Sequence, residues 1–310
     1  GFIIAGDSES NEDDVSGNNG GRDCWIVRLD ATGNIIWQKS LGGSGYDYAT
    51  SIQQMTGGGY VFTGSSESND GDLTENYGSK DCWIVKLDES GNIIWQKSFG
   101  GSGDDYGSSI EQSIDGGFVV AGSSNSNDGD VTGNIGGYDY WVVKLDASGN
   151  ITWQKSLGGT GNDFGRSIQQ TTDAGYIVAG NSESLNGDVT GNNGAIDYWI
   201  VKLDATGNTM WQKSLGGSGD DSAISIQQTT EGGYVVAGNS DSNNGDITGN
   251  NGATDYWIVK LSPGTSSINE NETLKFSLYP NPTTETFTLS SDGLINSEFK
   301  MIDAQGREVL

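Results

Sequence analysis

A repeat of 58 residues runs through most of this chain and limits what it can fold into. Tryptophans mark the period in two series. The first series is Trp25, Trp83, Trp141, Trp199 and Trp257, and the second is Trp37, Trp95, Trp153 and Trp211. Self-similarity at a fixed period is the signature of solenoids and propellers, so residues 1–261 predict one array of similar units.

Each unit contains four short β-segments that form two hairpins. In the fourth unit these segments are 167–171, 176–180, 198–204 and 208–215, and a loop rich in Asn, Gly and Asp separates the hairpins. Turns that contain Gly join the segments within each hairpin, while apolar residues with helical spacing do not occur. The unit is therefore a β-structure, and a helical solenoid is excluded.

The third segment of each unit is apolar on both faces. In the fourth unit, Trp199, Val201 and Leu203 alternate with Tyr198 and Ile200. Such a strand needs a sheet packed on each side, and four-stranded sheets stacked around an axis meet this need. We predict an all-β fold, a β-propeller of four-stranded blades, with a β-solenoid as the alternative.

The ends of the chain and its incomplete first and last repeats predict a longer protein. The chain begins at Gly1 inside an apolar run and ends at Leu310 in a strand-like run, so we expect a fragment at both ends. It holds about 4.5 repeats, and the first unit lacks its innermost strand whereas the fifth lacks its outermost strand. Further blades are expected before Gly1, because propellers usually have about four to eight.

Composition excludes several classes of function. The chain has 15 basic and 42 acidic residues, a net charge of −27, which repels nucleic acids and anionic bilayers. No apolar run is long enough for a membrane helix. We expect the protein to be a monomer. Histidine is absent, which excludes His-dependent triads and His-ligated metals within this sequence. Any catalysis would depend on carboxylates.

Two series of repeated aspartates bracket the polar loops and suggest a cation site. They are Asp14, Asp72, Asp130, Asp188 and Asp246, and Asp23, Asp81, Asp139, Asp197 and Asp255. Clustered carboxylate and amide oxygens suit Ca²⁺, the one cofactor that the sequence suggests, although the spacing is not that of an EF-hand. Capping of turns by Asp side chains is the alternative explanation of the same residues.

The cysteines and one variable position are the other features of the repeat. Cys24 and Cys82 occupy the same position in adjacent units, and equivalent Cα atoms of adjacent units should lie beyond the ~7 Å limit for a disulfide. We therefore predict two buried thiols.

Binding is expected in the loops between strands. There one repeat position varies, as Tyr46, Asp104, Asn162 and Asp220.

The repeat resembles known propeller families. Residues 203–211, LDATGNTMW, resemble the tryptophan-docking repeat of quinoprotein propellers, and the GYVVAG-type strand is similar to the second strand of a kelch blade. As a whole, the unit resembles the delta-60 or bacterial β-propeller repeats of secreted proteins. This resemblance implies a secreted or cell-surface propeller that binds a glycan, a protein or a matrix component.

An endoglucanase-like, carbohydrate-active hydrolase is the alternative function. A glycosidase needs two carboxylates about 5 to 10 Å apart with different tasks, and an active site usually breaks repeat symmetry. Here the units are nearly identical. Glu111 is the most visible acidic exception, because other units have Gln53, Gln169 and Gln227 at its position. We therefore predict no catalytic residue.

The tail after the repeats differs in composition. Residues 262–273 predict a polar linker, and residues 274–310 predict part of a small β-sandwich. FSLYPNPTTETFTL at 276–289 and MIDAQGREV at 301–309 resemble the type A sorting domain of the type IX secretion system, without its closing Gly-x-Tyr and basic end. The resemblance implies recognition or structural roles, none catalytic, for Tyr279, Pro280, Asn281, Pro282, Asp303 and Gly306.

This tail also predicts a destination. Proteins with such a domain are exported by the type IX machinery of Bacteroidetes-like bacteria, so the resemblance implies that machinery as a partner. The expected location is outside a Gram-negative cell or on its outer surface.

Overall fold

The computed structural model describes residues 1–263 and two short strands in the tail, and residues 1–263 form eighteen strands without a helix. The strands are listed here by their position in the repeat. First strands are β4 (Asp47–Gln54), β8 (Asp105–Gln112), β12 (Asp163–Gln170) and β16 (Asp221–Gln228). Second strands are β1 (Phe2–Ser8), β5 (Tyr60–Ser66), β9 (Phe118–Ser124), β13 (Tyr176–Ser182) and β17 (Tyr234–Ser240). Third strands are β2 (Asp23–Leu29), β6 (Asp81–Leu87), β10 (Asp139–Leu145), β14 (Asp197–Leu203) and β18 (Asp255–Leu261). Fourth strands are β3 (Ile35–Leu41), β7 (Ile93–Phe99), β11 (Ile151–Leu157) and β15 (Thr209–Leu215).

These strands form five antiparallel sheets in a β-propeller-like array. Three sheets have four strands in sequential order, β4–β7, β8–β11 and β12–β15. The first sheet, β1–β3, lacks a first strand, and the last, β16–β18, lacks a fourth. First strands of neighbouring sheets contact one another, which places them at the inner edge of the array. The prediction of an all-β repeat fold of four-stranded sheets is confirmed.

The first strands are longer than predicted. The sequence pattern begins at residue 167 in the fourth unit, whereas β12 begins at Asp163. Its pairing with β13 shifts register between Gly165 and Ser167, so Arg166 is an extra, unpaired residue. The same shift occurs in β4, β8 and β16. A bulge of this kind breaks the period-two alternation and hides the start of the strand.

Tryptophans of the first series fill the space between sheets. Trp83, Trp141 and Trp199 are fully buried. The ring of Trp199 packs against Tyr140 of the preceding sheet, with centroids 4.5 Å apart, and the Tyr140 hydroxyl donates to the Trp199 carbonyl at 2.8 Å. The indole N–H of each of these three residues has a glutamine acceptor; for example, Trp141 donates to Gln154 Oε1 at 3.0 Å. The polar atoms of these aromatic residues are thus satisfied inside the interface.

Tryptophans of the second series join the outer edges of the sheets. Trp37 on β3 donates its indole N–H to the carbonyl of Glu89, in the turn between β6 and β7 of the next sheet, at 3.0 Å. Gly91 in this turn has φ of 79°, and a Cβ there would lie 3.0 Å from the Trp37 ring. Glycine is therefore needed both for the turn and for the ring that covers it.

Both cysteines are free and buried, as predicted. Burial raises the pKa of the Cys82 thiol to about 12, so this thiol remains protonated and unreactive at neutral pH.

The tail is described in two short segments. Strands β19 (Ser277–Tyr279) and β20 (Thr288–Ser290) pair antiparallel. The predicted linker from residue 264 onward, and Pro280, Asn281, Pro282, Asp303 and Gly306 of the predicted sorting motif, lie outside the described residues. No helix long and apolar enough to cross a membrane occurs in the described part of the chain.

We predict that Trp141→Ala lowers the free energy of unfolding by about 3 to 5 kcal/mol, because it leaves a large cavity between two sheets. Chemical denaturation followed by fluorescence of the remaining tryptophans measures this change. Ile114→Ala is the control, since Ile114 is 89% exposed and its truncation should cost less than about 0.5 kcal/mol. Equal effects of the two substitutions would contradict this packing.

Candidate functional sites on the loop face

First and third strands begin on the same side of the array, which we call the loop face. Strands alternate in direction within each sheet, so the loop before a third strand and the loop before the next first strand both end there. Parallel bridges join these loops, as between Lys80 and Asp104. The loop face therefore brings together residues that are distant in sequence, from neighbouring sheets.

Aspartates of one predicted series begin the third strands and are buried at the loop face. Asp81 is fully buried, and its Oδ2 accepts a hydrogen bond from the backbone N–H of Tyr77 at 2.7 Å. This bond caps the preceding loop, as the turn-capping interpretation expects. The other oxygen has no donor. Orphaned Oδ1 atoms occur in the third-strand aspartates Asp23, Asp81, Asp139 and Asp197, and also in Asp163 and Asp221 at the starts of first strands.

A second series of buried aspartates begins the first strands and was missed by the sequence reading. Its members are Asp47, Asp105, Asp163 and Asp221. Asp105 Oδ2 accepts from the Gly101 N–H at 2.8 Å and from the Ser126 hydroxyl at 2.9 Å, while Oδ1 accepts from the Ser124 hydroxyl. The 58-residue spacing of this series was the available signal.

The two series meet at every boundary between sheets. A Cβ on Gly100 would lie 2.4 Å from Asp105 Oδ2 and 2.9 Å from Asp81 Oδ1, so both oxygens point at the same place. A third carboxylate is close, because Asp130 Oδ2 accepts from the Gly100 N–H at 3.3 Å. We call such a group a boundary carboxylate cluster. The four clusters are Asp23/Asp47/Asp72, Asp81/Asp105/Asp130, Asp139/Asp163/Asp188 and Asp197/Asp221/Asp246.

The boundary carboxylate clusters contain no basic partner. Within residues 1–263 the ion pairs all lie elsewhere, for example Lys144 with Asp115 at 2.8 Å. Burial, with added repulsion from the first-strand aspartate, raises the pKa of Asp81, Asp139 and Asp197 to about 6. A buried carboxylate without a counter-charge is costly, so each cluster is a concentrated negative site.

The structure separates the predicted metal residues into two groups. Eight of them belong to boundary clusters, whereas Asp14 is exposed and Asp255 lies in the last sheet, where the structure has no following first strand. In the part of the chain that the structure describes, no three Asp, Glu, His or Cys side chains already surround a point as they would a metal ion. The arrangement supplies carboxylates without a preformed cage.

Four aromatic residues and one lysine follow one another along the loop face and form what we call the aromatic row. It consists of Tyr48, Lys80, Tyr106, Tyr138 and Phe164, all half-buried. Lys80 Nζ lies 5.9 Å from the centre of the Tyr48 ring and 5.8 Å from that of Tyr106. Ring centroids are 6.0 Å apart for Tyr106 and Tyr138, and 5.3 Å apart for Tyr138 and Phe164. The row crosses three sheets.

Polar groups border the aromatic row at the variable repeat position. The Tyr138 hydroxyl donates to Asp104 Oδ2 at 3.0 Å, and the Tyr138 N–H donates to Asn162 Oδ1 at 3.2 Å. Asn162 Nδ2 in turn donates to Glu183 Oε2 at 2.8 Å. Rings flanked by amides and carboxylates are the usual composition of a site for a polar organic ligand.

The opposite ends of the first strands border an open cavity of about 290 Å³, where Glu111 lies with Gln53 and Gln169. Gln53 Oε1 accepts from the backbone N–H of Gln112 on the next first strand at 2.7 Å, and the Glu111 carboxylate accepts in the same way from Gln170. Glu111 thus replaces a structural glutamine. No second carboxylate lines this cavity among the described residues.

A scan against known protein families finds no match. Regulatory protein FlaEY of Caulobacter vibrioides is 25% identical over 84% of this chain, which spans only 28% of that relative. An apocarotenoid oxygenase of Synechocystis is 12% identical, with 70% of this chain and 50% of that chain covered and a TM-score of 0.35. BamB of Moraxella catarrhalis is also 12% identical, with coverages of 68% and 63% and a TM-score of 0.31.

We predict that Asp139→Asn stabilises the metal-free protein at neutral pH. The pKa of Asp139 in the folded protein is about 6, above the ordinary value near 4. The contribution of this carboxyl group to the free energy of unfolding is therefore largest below pH ~4 and is lost as pH rises through about 6. Asparagine does not ionise, so the variant does not lose this stability. The free energy of unfolding of Asp139→Asn, relative to that of the wild type, should therefore increase as pH rises from 4 to 7.

Denaturation in a chelating buffer across this pH range measures the difference between the two proteins. Asp14→Asn is the control, because Asp14 is exposed. A difference between Asp139→Asn and wild type that does not change with pH would contradict the assigned repulsion.

Proposed function

We propose that this chain belongs to a secreted or cell-surface protein whose β-propeller-like array binds a glycan at the loop face, without catalysis. The aromatic row is the observation that supports this proposal. Its rings are half-buried and lie next to amide and carboxylate groups, and a sugar ring also combines an apolar face with hydroxyl groups at its edge. Stacking and edge hydrogen bonds could then act together.

Variation between the units favours one ligand site over a repeated one. The second position of the first strand is Tyr48, Tyr106 and Phe164 in successive sheets but Ser222 in the last. The aromatic row therefore ends before the last sheet, while the residues that pack the core continue. A binding surface that breaks the repeat, on a scaffold that keeps it, is typical of ligand recognition by loops.

The hydrolase alternative has less support from the described residues. Glu111, the acidic exception in the repeat, accepts a backbone hydrogen bond in the way that its glutamine equivalents do. The first-strand and third-strand aspartates of each boundary carboxylate cluster are buried, so a polysaccharide could not reach both carboxylates of such a pair. A glycosidase needs both of its carboxylates at the scissile bond.

Export by the type IX secretion system is the second part of the proposal. It depends on the likeness of 276–289 and 301–309 to a type A sorting domain, which lies largely outside the described residues. The acidic surface of the repeat region is compatible with this destination, because a high net charge keeps a protein soluble and monomeric.

We predict that Tyr138→Ala weakens glycan binding by at least tenfold, a loss of about 1.4 kcal/mol, because it removes the ring at the middle of the aromatic row. A glycan array identifies a ligand for the purified chain, and calorimetry then measures its affinity. Tyr256→Ala is the matched control, since Tyr256 is 93% exposed in the last sheet and lies outside the row.

Three results would contradict this proposed function. They are the absence of any glycan ligand, equal affinities of the two tyrosine variants, and sustained hydrolysis of a polysaccharide that Glu111→Gln abolishes. The last result would favour the hydrolase alternative.

We also predict that deletion of everything after Leu261 from the full-length protein retains it in the periplasm, because the sorting signal is lost. Immunoblots of periplasm, outer membrane and medium measure the distribution. Normal amounts of the truncated protein in the medium or at the cell surface would show that the tail does not direct export.

A further inference from the structure

The boundary carboxylate clusters have a feature that turn capping does not explain. In each cluster the third-strand aspartate uses only Oδ2 to cap its loop, as Asp139 does with the Ile135 N–H at 2.8 Å. Its Oδ1 is buried, has no donor, and points toward the carboxylate of the next sheet, here Asp163. Capping needs one oxygen and does not require that the second face another carboxylate.

Repetition excludes a local accident of packing. The same orphaned oxygen occurs at all four boundaries, in Asp23, Asp81, Asp139 and Asp197. At each boundary the two carboxylates approach a glycine so closely that a side chain would not fit, because a Cβ at Gly42, Gly100, Gly158 or Gly216 would lie 2.4 to 2.9 Å from their oxygens. A buried polar atom left without a partner is expensive, and four equivalent ones imply a partner that the protein chain does not supply.

We propose that each boundary carboxylate cluster binds one divalent cation, Ca²⁺, between the third-strand aspartate of one sheet and the first-strand aspartate of the next. The site would take Oδ1 of Asp139 and the carboxylate of Asp163 as ligands, with the loop aspartate Asp188 close by. Ca²⁺ accepts irregular sets of oxygen ligands that include water, so two protein carboxylates suffice to begin a site. Exposed Asp188 leaves one side of the cluster open to water.

Charge supports a cation over a neutral partner. Each cluster holds three carboxylates, and the ion pairs of the described residues leave all of them without a basic neighbour. A divalent cation would neutralise the two buried groups and link adjacent sheets, whereas a water molecule would satisfy a lone pair without removing the repulsion. All-oxygen, carboxylate-rich sites without His or Cys favour Ca²⁺ over zinc or copper.

Calorimetric titration of the 310-residue chain with CaCl₂ at pH 7.5, after removal of metal by a chelator, tests this inference. We expect saturable binding of four ions per chain, one for each cluster. Asp139→Asn should reduce the number to three, and Asp14→Asn should leave it at four. Asp81→Asn, which alters a different boundary, is a second variant in case Asp139→Asn does not fold.

A companion measurement separates this inference from the proposed glycan binding. The wild-type melting temperature should rise with CaCl₂ and return to its initial value after chelation, whether or not a glycan binds. A melting temperature that CaCl₂ leaves unchanged, or a stoichiometry that Asp139→Asn and Asp81→Asn leave at four, would overturn the proposal.

Discussion

Each sheet of this array has two apolar faces, and only a neighbouring sheet can cover them. The third strands show this constraint most clearly, because Trp199 and Tyr198 lie on opposite faces of β14 and both are fully buried. An isolated unit would leave such faces in water, so the units are stable only when stacked. The repeat of tryptophans, the antiparallel order of strands and the contact between first strands at the inner edge all follow from this need.

Stacking on both faces also buries polar groups at each boundary. The indole N–H groups of the buried first tryptophan series are satisfied by glutamines of the fourth strands, as with Trp141 and Gln154. Free backbone N–H groups of first strands are satisfied by side chains of the preceding sheet, as with Gln112 and Gln53. The boundary carboxylate clusters are different, because at least one buried oxygen in each has no protein donor. The boundary carboxylate clusters and the aromatic row therefore both lie at the loop face, where neighbouring sheets approach each other.

Sequence reasoning predicted the fold well because periodicity reports burial directly. Alternation in 198–203 required two covered faces, and the constant position of Trp199 and its equivalents required one repeated architecture. The start of β12 at Asp163 could not be predicted, since the bulge at Arg166 interrupts alternation. The first-strand aspartates of the boundary carboxylate clusters were not predicted, for a physical reason. Asp163 and its equivalents belong to the next sheet and approach Asp139 and its equivalents only after the sheets stack. The aromatic row forms by the same approach of neighbouring sheets, so single positions such as Tyr138 give no hint of it.

In the folded chain, two carboxylates of adjacent sheets face each other without a counter-charge. A double-mutant cycle with Asp139→Asn and Asp163→Asn, measured by denaturation at pH 7.5 in a chelating buffer, tests it most directly. Loss of the first charge removes the repulsion, so the second substitution should be less favourable in the Asp139→Asn background than in wild type, with an interaction free energy above about 1 kcal/mol. Additive effects of the two substitutions would show that the carboxylates of Asp139 and Asp163 do not repel each other.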